Sequence, residues 1–163
     1  METITAKDVI NKKNEKFHLG LDLHGVLDAH PEKYIPLAHM VKRSGGRVTI
    51  CTGSSNNKEL RDELRRLAER VYKLYNATFE NFYTDIFSVS DFIRSQYKED
   101  TEYEEDFDSG GVWVSEDLWN RIKGDWAAMN NVTLHIDDRV DYKKHFPAGT
   151  FLLAGSRGDK NGR

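Results

Sequence analysis

The sequence predicts an α/β fold of the Rossmann-like kind, in which a parallel sheet lies between two layers of helices. Short apolar runs, such as residues 17–22 and 47–51, alternate along the chain with segments that favour helices. Parallel strands need long crossover connections, and helices usually provide them. A chain of 163 residues with 38% hydrophobic content is large enough to form one core. We therefore expect one domain over residues 1–155, followed by a flexible tail over residues 156–163.

The first half of the chain predicts two units of strand, loop and helix. Residues 6–15 favour a short polar helix, and residues 17–22 form the first strand, which ends at a turn through Gly25. Pro31 suits the first turn of a helix that runs to about residue 42, where a Ser-Gly-Gly sequence ends it. The second strand, residues 47–51, leads through a polar loop rich in asparagine to a charged helix.

The charged helix carries both basic and acidic residues. Its apolar positions have the spacing of one helix face and are Leu60, Leu64, Leu67 and Val71. Neighbouring acids balance its basic residues, which favours a solvated face over a nucleic-acid surface; these residues are Lys58, Arg61, Arg65, Arg66 and Arg70.

The second half of the chain predicts three more strands, over residues 82–89, 132–136 and 150–154, with a helix over residues 115–130. Residues 97–111 carry a dense run of acids. Charge at this density opposes packing, so we expect an irregular acidic insertion that protrudes as a loop.

Composition and charge argue against several classes of protein. No stretch approaches the roughly 18 apolar residues of a membrane span, and the first residues lack the apolar centre of a secretory signal. Cys51 is the single cysteine, so an internal disulfide and a four-cysteine zinc site are excluded. The net charge of −3 gives no general attraction to nucleic acid. We expect a cytoplasmic protein with no membrane partner, and its oligomeric state stays open.

Polar side chains stand at the ends of three predicted strands. The first strand ends at Asp22, the second runs into Thr52, and the fourth runs into Asp137 and Asp138. The carboxyl ends of parallel strands meet at one edge of a sheet, where ligands bind. Each residue alone is equally typical of a turn or a helix cap. Together the carboxylates predict a site for Mg²⁺, which shares its coordination with substrate phosphates.

The order of these motifs resembles the haloacid dehalogenase-like (HAD) hydrolase superfamily. The resemblance rests on Asp22-x-x-Gly25-Val26-Leu27-Asp28, on an apolar strand leading into Thr52-Gly53, and on Ile136-Asp137-Asp138. It spans residues 17–154. It implies a Mg²⁺-dependent phosphatase or phosphotransferase that acts on a phosphomonoester through an aspartyl-phosphate.

The resemblance also implies roles for individual residues. Asp22 is the candidate nucleophile, and Thr52 and Lys123 are the candidates for binding the phosphoryl group. Gly53 and Ser54 belong to the same candidate substrate-binding loop. Lys98 is an alternative to Lys123, because Lys123 lies closer in sequence to Asp137 than is common in the family.

The implied metal ligands are Asp22, Asp137 and Asp138, together with the position of His24, which contributes a backbone carbonyl in the family. A separate alternative makes the side chains of His24 and His135 direct ligands, because imidazole suits zinc, manganese or iron. Against that alternative, His135 is expected to pack within the fourth strand.

His24 occupies the position at which phosphate-transferring members of the family carry a second aspartate. Imidazole exchanges protons near neutral pH, so His24 is a candidate for the acid that protonates the leaving group and the base that activates water. Two other interpretations stay open. In one, the chain is a phosphate-binding domain without catalysis. In the other, it is a HAD hydrolase that cleaves a bond other than a phosphate ester.

The spacing of the motifs leaves no room for a large cap domain. One helix and its turns separate residues 22 and 52, and residues 72–111 can hold only a very small cover. By resemblance, capless members act on macromolecules or close their site with another subunit. We expect a phosphorylated substrate, with nucleotides and nucleic-acid ends as candidates. Aromatic residues can stack on bases, but the spacing of Trp113, Trp119 and Trp126 favours packing.

Overall fold

The computed structural model describes residues 16–78 and 80–155. In chain order its strands are β1 (His18–Asp22), β2 (Arg47–Thr52), β3 (Asp85–Ser88), β4 (Glu104–Asp106), β5 (Gly111–Trp113), β6 (Leu134–Asp137) and β7 (Phe151–Leu153). Its helices are α1 (Pro31–Arg43), α2 (Lys58–Leu74), α3 (Val89–Gln96) and α4 (Glu116–Met129), and a 3-10 helix spans Val140–His145. The predicted helix over residues 6–15 and the predicted tail over residues 156–163 lie outside the described residues.

Five strands form a parallel sheet in the order β3-β2-β1-β6-β7. From β1, the sheet grows through β2 and β3 on one side and through β6 and β7 on the other. The carboxyl ends of β1, β2 and β6 therefore lie side by side, at the position where open α/β sheets bind ligands. The predicted α/β fold with a parallel sheet is confirmed.

The sheet has helices on both faces because the side chains of β1 alternate in direction. Leu19 and Leu21 are buried in a core cluster that α1 and α2 complete. On the opposite face, His18 packs edge-on against Trp126 of α4, with ring centroids 5.8 Å apart. One short central strand thus contacts both layers of helices.

The first two helices begin and end at residues suited to those positions. Pro31 lies in the first turn of α1, and the chain leaves this helix through Gly45, whose φ of +83° favours glycine. At the start of α2, the side chain of Asn57 accepts a hydrogen bond from the backbone N–H of Leu60 at 2.9 Å.

None of the helices in the described part of the chain combines the length and apolar character needed to cross a membrane.

Helix α2 buries its apolar face and exposes its basic one. The predicted apolar positions are all buried: Leu60, Leu64, Leu67 and Val71. On the exposed side, Arg65 pairs with Asp62 and Glu69. These contacts support the interpretation of this helix as a solvated charged face.

The predicted third strand is wrong at both ends, and helix α3 is missing from the prediction. Ser88 Oγ accepts a hydrogen bond from the backbone N–H of Asp91 at 3.0 Å, which starts a helix where the apolar pattern continues. Phe82 is buried outside any strand. Apolar periodicity alone does not distinguish a buried strand from a short strand followed by a buried helix.

The prediction of an irregular insertion over residues 97–111 is wrong in part, because β4 and the start of β5 lie within it and pair as an antiparallel hairpin, whereas the rest of the segment consists mainly of turns. Arg94 of α3 compensates the acidic charge. Its guanidinium donates to both carboxylate oxygens of Glu105, at 2.8 and 2.7 Å, and to the carbonyls of Gly110 and Gly111. A cluster of buried apolar residues lies beneath the hairpin: Val89, Ile93, Tyr103, Val112 and Ile122.

Replacing Arg94 with Ala is expected to loosen the hairpin without unfolding the sheet. The change removes hydrogen bonds between charged groups, a loss of roughly 1.5–3 kcal/mol. Hydrogen–deuterium exchange should become faster in β4 and β5 and stay unchanged in β1 and β2. Arg65→Ala is the matched control, because the ion pairs of Arg65 with other described residues lie within α2. Equal protection of the hairpin in Arg94→Ala and the wild type would contradict this role of Arg94.

Candidate functional site

A buried lysine lies between two buried carboxylates at the carboxyl edge of the sheet. Lys123 Nζ donates to Asp22 Oδ1 at 2.6 Å and to Asp137 Oδ2 at 2.8 Å. Lys123, Asp22 and Asp137 are 4%, 6% and 0% exposed. Asp22 ends β1, Asp137 ends β6, and Lys123 reaches both acids from α4. The structure therefore brings these three predicted site residues together, and it favours Lys123 over Lys98, which is exposed.

Two glycines allow this close arrangement. A Cβ on Gly124 would lie 2.3 Å from the carbonyl oxygen of His145, so α4 packs directly on the 3-10 helix that follows β6. A Cβ on Gly20 of β1 would lie 2.5 Å from Nδ1 of His135 on β6. The absence of a side chain at Gly124 lets α4, which carries Lys123, approach the segment after β6, and its absence at Gly20 leaves room for the ring of His135.

His135 holds the same oxygen of Asp137 that Lys123 contacts. Its Nε2 lies 3.1 Å from Asp137 Oδ2, and its ring is fully buried and stacked on Phe146 with centroids 4.7 Å apart. Burial lowers the pKa of His135, although the hydrogen bond to Asp137 opposes the shift. The ring is therefore neutral and donates from Nε2. The expectation that His135 packs in its strand is confirmed, but its contact with Asp137 had no signal in the sequence.

Burial and crowded negative charge set the electrostatics of the site. Burial, together with the charges of Asp137 and Asp138, raises the pKa of Asp22 to about 6, although Lys123 opposes this shift. Burial alone would lower the pKa of Lys123, but Asp22 and Asp137 raise it above its ordinary value, so the ammonium stays charged.

The two neighbouring acids of the last motif shift in opposite directions. Burial would raise the pKa of Asp137, but the hydrogen bond from His135 and the charge of Lys123 lower it below its ordinary value. Burial and the adjacent Asp137 raise the pKa of Asp138. Asp137 is thus held ionised by its partners, whereas Asp138 carries a charge that the protein compensates less well.

Asp22, Asp137 and Asp138 are placed so that they can share one cation. One oxygen from each lies within 4.8 Å of the others. Asp138 is seated over Gly25, where a Cβ would lie 2.0 Å from Asp138 Oδ2 and where φ is +84°. Lys123 offsets only one of the three negative charges, so a divalent cation complements the remainder.

The histidines do not join this group of acids. Among the described residues, neither the side chain of His24 nor that of His135 belongs to the cluster that can share a cation. The alternative with two histidine ligands is therefore not supported.

The loop after β2 lies beside the acids, because β2 pairs with β1. The Thr52 side chain is fully buried, and its Oγ1 accepts a hydrogen bond from the backbone N–H of Ser54 at 3.1 Å. Thr52 therefore shapes the loop, while Gly53 and Ser54 are partly exposed. Ser90 of α3 supports the loop by donating to the carbonyl of Gly53 at 2.5 Å. Sequence analysis missed Ser90 because helix α3 itself was missed.

His24 lies at the rim of the site, with 55% of its side chain exposed. Its Nδ1 lies 3.5 Å from Asp28 Oδ2, and its Nε2 lies 3.5 Å from Ser54 Oγ. The other oxygen of Asp28 accepts a hydrogen bond from the backbone N–H of Gly25 at 2.7 Å. Asp28 therefore orients the imidazole so that Nε2 faces the loop after β2. Sequence analysis included Asp28 in the motif without assigning it a role.

The three tryptophans have different surroundings. Trp126 stacks on Phe87 with centroids 4.8 Å apart, so the expectation that it packs is confirmed. Trp119 is partly buried, and its indole N–H donates to the hydroxyl of Tyr142 at 3.1 Å. Trp113 is 65% exposed, so the expectation that it packs is wrong. Alternate residues of β5 point in opposite directions, and the inward position belongs to Val112.

Comparisons of the chain with protein-family models, with curated proteins and with solved structures found no match. A fold of this kind supports many activities. The assignment of a function therefore depends on the chemistry of the site itself.

Replacing Lys123 with Met is expected to lower the free energy of unfolding by about 3–5 kcal/mol, because it leaves two buried carboxylates without their cation. Urea unfolding in the presence of EDTA measures this loss. The double variant Lys123→Met/Asp137→Asn should recover part of it, since one of the repelling charges is gone. Lys143→Met, at an exposed lysine of the 3-10 helix, is the control. Unchanged stability in Lys123→Met would contradict the buried ion pairs.

Proposed function

We propose that this protein is a Mg²⁺-dependent phosphatase or phosphotransferase that acts on a phosphomonoester through an aspartyl-phosphate at Asp22. The observation that carries the proposal is the pair of contacts from buried Lys123 to Asp22 and Asp137. A carboxylate held by an ammonium group at this edge of a parallel sheet is oriented toward a ligand in the crevice. The resemblance of the motifs to HAD hydrolases supports the same roles.

Asp22 acts as the nucleophile in the first step. A bond forms between its carboxylate oxygen and phosphorus while the bond from phosphorus to the leaving oxygen breaks, which divides one difficult displacement into two easier ones. Lys123 stays charged between its acidic partners and offsets negative charge on the phosphoryl group as it transfers. In the second step, water or an acceptor hydroxyl attacks phosphorus and restores the Asp22 carboxylate.

A magnesium ion fits the donor set of this site. Asp22, Asp137 and Asp138 would hold the ion, together with the backbone carbonyl at residue 24 that the resemblance implies. When bound, the ion supplies Lewis-acid stabilisation of the charge on the phosphoryl oxygens. Asp137 already has Lys123 and His135 as partners, so it also positions the lysine.

His24 is the residue to which we assign proton transfer. A protonated imidazole gives its proton to the leaving oxygen as the bond to phosphorus breaks, and the neutral ring then takes a proton from the attacking water. Asp28, whose Oδ2 lies 3.5 Å from Nδ1, holds the orientation of the ring. This pairing of imidazole with carboxylate replaces the second aspartate that is common at this position in the family.

The loop after β2 supplies hydrogen-bond donors for the phosphoryl oxygens. Gly53 and Ser54 are partly exposed in this loop, and Thr52 keeps Ser54 in place through its buried hydroxyl. A domain that binds phosphate without turnover, or a hydrolase that cleaves another bond, would use the same crevice. The two experiments below separate these functions.

The wild-type protein is expected to release p-nitrophenol from p-nitrophenyl phosphate in the presence of Mg²⁺, and EDTA should stop the release. Asp22→Asn should reduce the rate to background, because an amide oxygen does not form a stable bond to phosphorus. Asp141→Asn, at an exposed acid of the 3-10 helix, is the control, and circular dichroism verifies that each variant is folded. Binding of inorganic phosphate without turnover in the wild type would instead indicate a phosphate-binding domain.

Replacing His24 with Asn is expected to slow alkyl phosphates by about 100-fold or more, since general acid catalysis contributes at least that factor. Phosphates with a good leaving group, such as p-nitrophenyl phosphate, should lose much less activity because their leaving oxygen needs no proton. His30→Asn is the matched control, because His30 lies beside Glu32 on a different element. An equal loss for both substrates would contradict the acid role of His24.

A further inference from the structure

A groove lies next to the candidate site, between the β4–β5 hairpin and α4. Its volume is about 390 Å³, within the range of roughly 300–1,000 Å³ that is typical of small-molecule sites. Trp113 lines it from the hairpin, Trp119 and Asn120 line it from α4, and Arg139 lines it from the segment after β6. The phosphate chemistry proposed above uses none of these side chains.

Two contacts join the groove to the candidate site. The ring of Trp119 lies so close to the loop after β2 that a Cβ on Gly53 would be 2.8 Å from it. Arg139 directly follows Asp138, and its backbone N–H donates to Asp137 Oδ1 at 3.1 Å. The organic part of a phosphate ester bound at Asp22 therefore has this groove beside it.

The groove is suited to a flat aromatic ring. Trp113 is 65% exposed, and within the described residues its indole contacts no other ring. Trp119 is held in place by its hydrogen bond to Tyr142. Aromatic side chains of this kind bind bases by stacking on their faces.

Asn120 supplies a polar group to the lining of the groove. Its side chain is 7% exposed, and no hydrogen bond joins its amide to any residue within 16–78 or 80–155. Its adjacent donor and acceptor match the donor and acceptor pattern on the edge of a nucleobase.

Acidic residues at the groove favour a mononucleotide over a nucleic-acid strand. Asp106 and Glu116 both line the groove. The hydroxyl of Ser109 donates to Asp106 and lowers the pKa of that carboxyl, so it stays ionised. Carboxylates repel the additional phosphates of a strand, which binds to basic grooves instead.

We infer that this groove binds the base of a nucleoside monophosphate, with the ring against Trp113 and Trp119 and its polar edge at Asn120. The inference rests on the proposed phosphatase function for the position of the phosphate. It narrows the substrate class from phosphomonoesters in general to nucleoside monophosphates.

Adenosine tests the groove without any need for turnover, because it carries the base and no phosphate. In protein labelled with 5-fluorotryptophan, adenosine is expected to shift the fluorine signals of Trp113 and Trp119 with saturation, and ribose should shift neither. Trp126 is the internal control, because it stacks on Phe87 away from the groove. Replacement of each tryptophan by Phe assigns the three signals. Unchanged signals of Trp113 and Trp119, or equal shifts of all three, would overturn the inference.

Kinetics test whether the groove selects substrates. Trp113→Ala is expected to reduce about tenfold the preference in kcat/KM for adenosine monophosphate over ribose 5-phosphate, which corresponds to about 1.4 kcal/mol. Phe107→Ala is the matched control, because Phe107 is an aromatic residue of the same hairpin that is 89% exposed and does not line the groove. An unchanged preference in Trp113→Ala, or tighter binding of a 5′-phosphorylated oligonucleotide than of the mononucleotide, would overturn the inference.

The two experiments separate failure of the groove from failure of the proposed function. Hydrolysis of ribose 5-phosphate with no response of Trp113 and Trp119 to adenosine would overturn the groove and leave the phosphatase intact. A saturable response to adenosine in a protein that hydrolyses no phosphate ester would support the groove and refute the phosphatase.

Discussion

The ammonium group of Lys123 between Asp22 and Asp137 is the interaction on which the site depends. It joins the ends of β1 and β6 to α4, and all three groups are almost completely buried. Buried charges are tolerated only when they are paired, so each acid requires the lysine and the lysine requires both acids. The close packing at Gly124 supports this arrangement, because a side chain there would collide with the backbone of His145 in the segment that follows β6. Stability and the candidate chemistry thus share the same contacts.

Acids outnumber bases at this edge of the sheet, so the site carries a net negative charge. Lys123 compensates one of three carboxylates, and burial together with the charge of the neighbouring acids raises the pKa values of Asp22 and Asp138. Carboxylates at this spacing suit a hard divalent cation that also binds phosphate oxygens. The same arrangement explains why Gly25 is required next to Asp138, since any side chain there would displace the carboxylate. The proposed function connects these observations to the imidazole of His24, which Asp28 orients at the open side of the site.

The hairpin changes the surroundings of an otherwise open crevice. Arg94 holds it to α3 through Glu105 and the carbonyls of the turn, so a segment with dense negative charge adopts regular structure. As a result, Trp113 lies exposed beside the groove formed with α4. The small two-stranded hairpin thereby lines the groove to which we assign substrate selection.

The sequence by itself determined the α/β class, most helix and strand positions within two residues, and the convergence of Asp22, Asp137 and Asp138. These features follow from local patterns and from the rule that parallel strands end at one edge of the sheet. Only the tertiary structure decided between Lys123 and Lys98, revealed the contacts of His135 and Asp28, and converted the acidic segment into a hairpin through Arg94. Each of these depends on residues that are distant in sequence or on the direction of a side chain. The periodicity of a sequence indicates which residues are apolar, but it does not indicate which charged side chains come into contact when the chain folds.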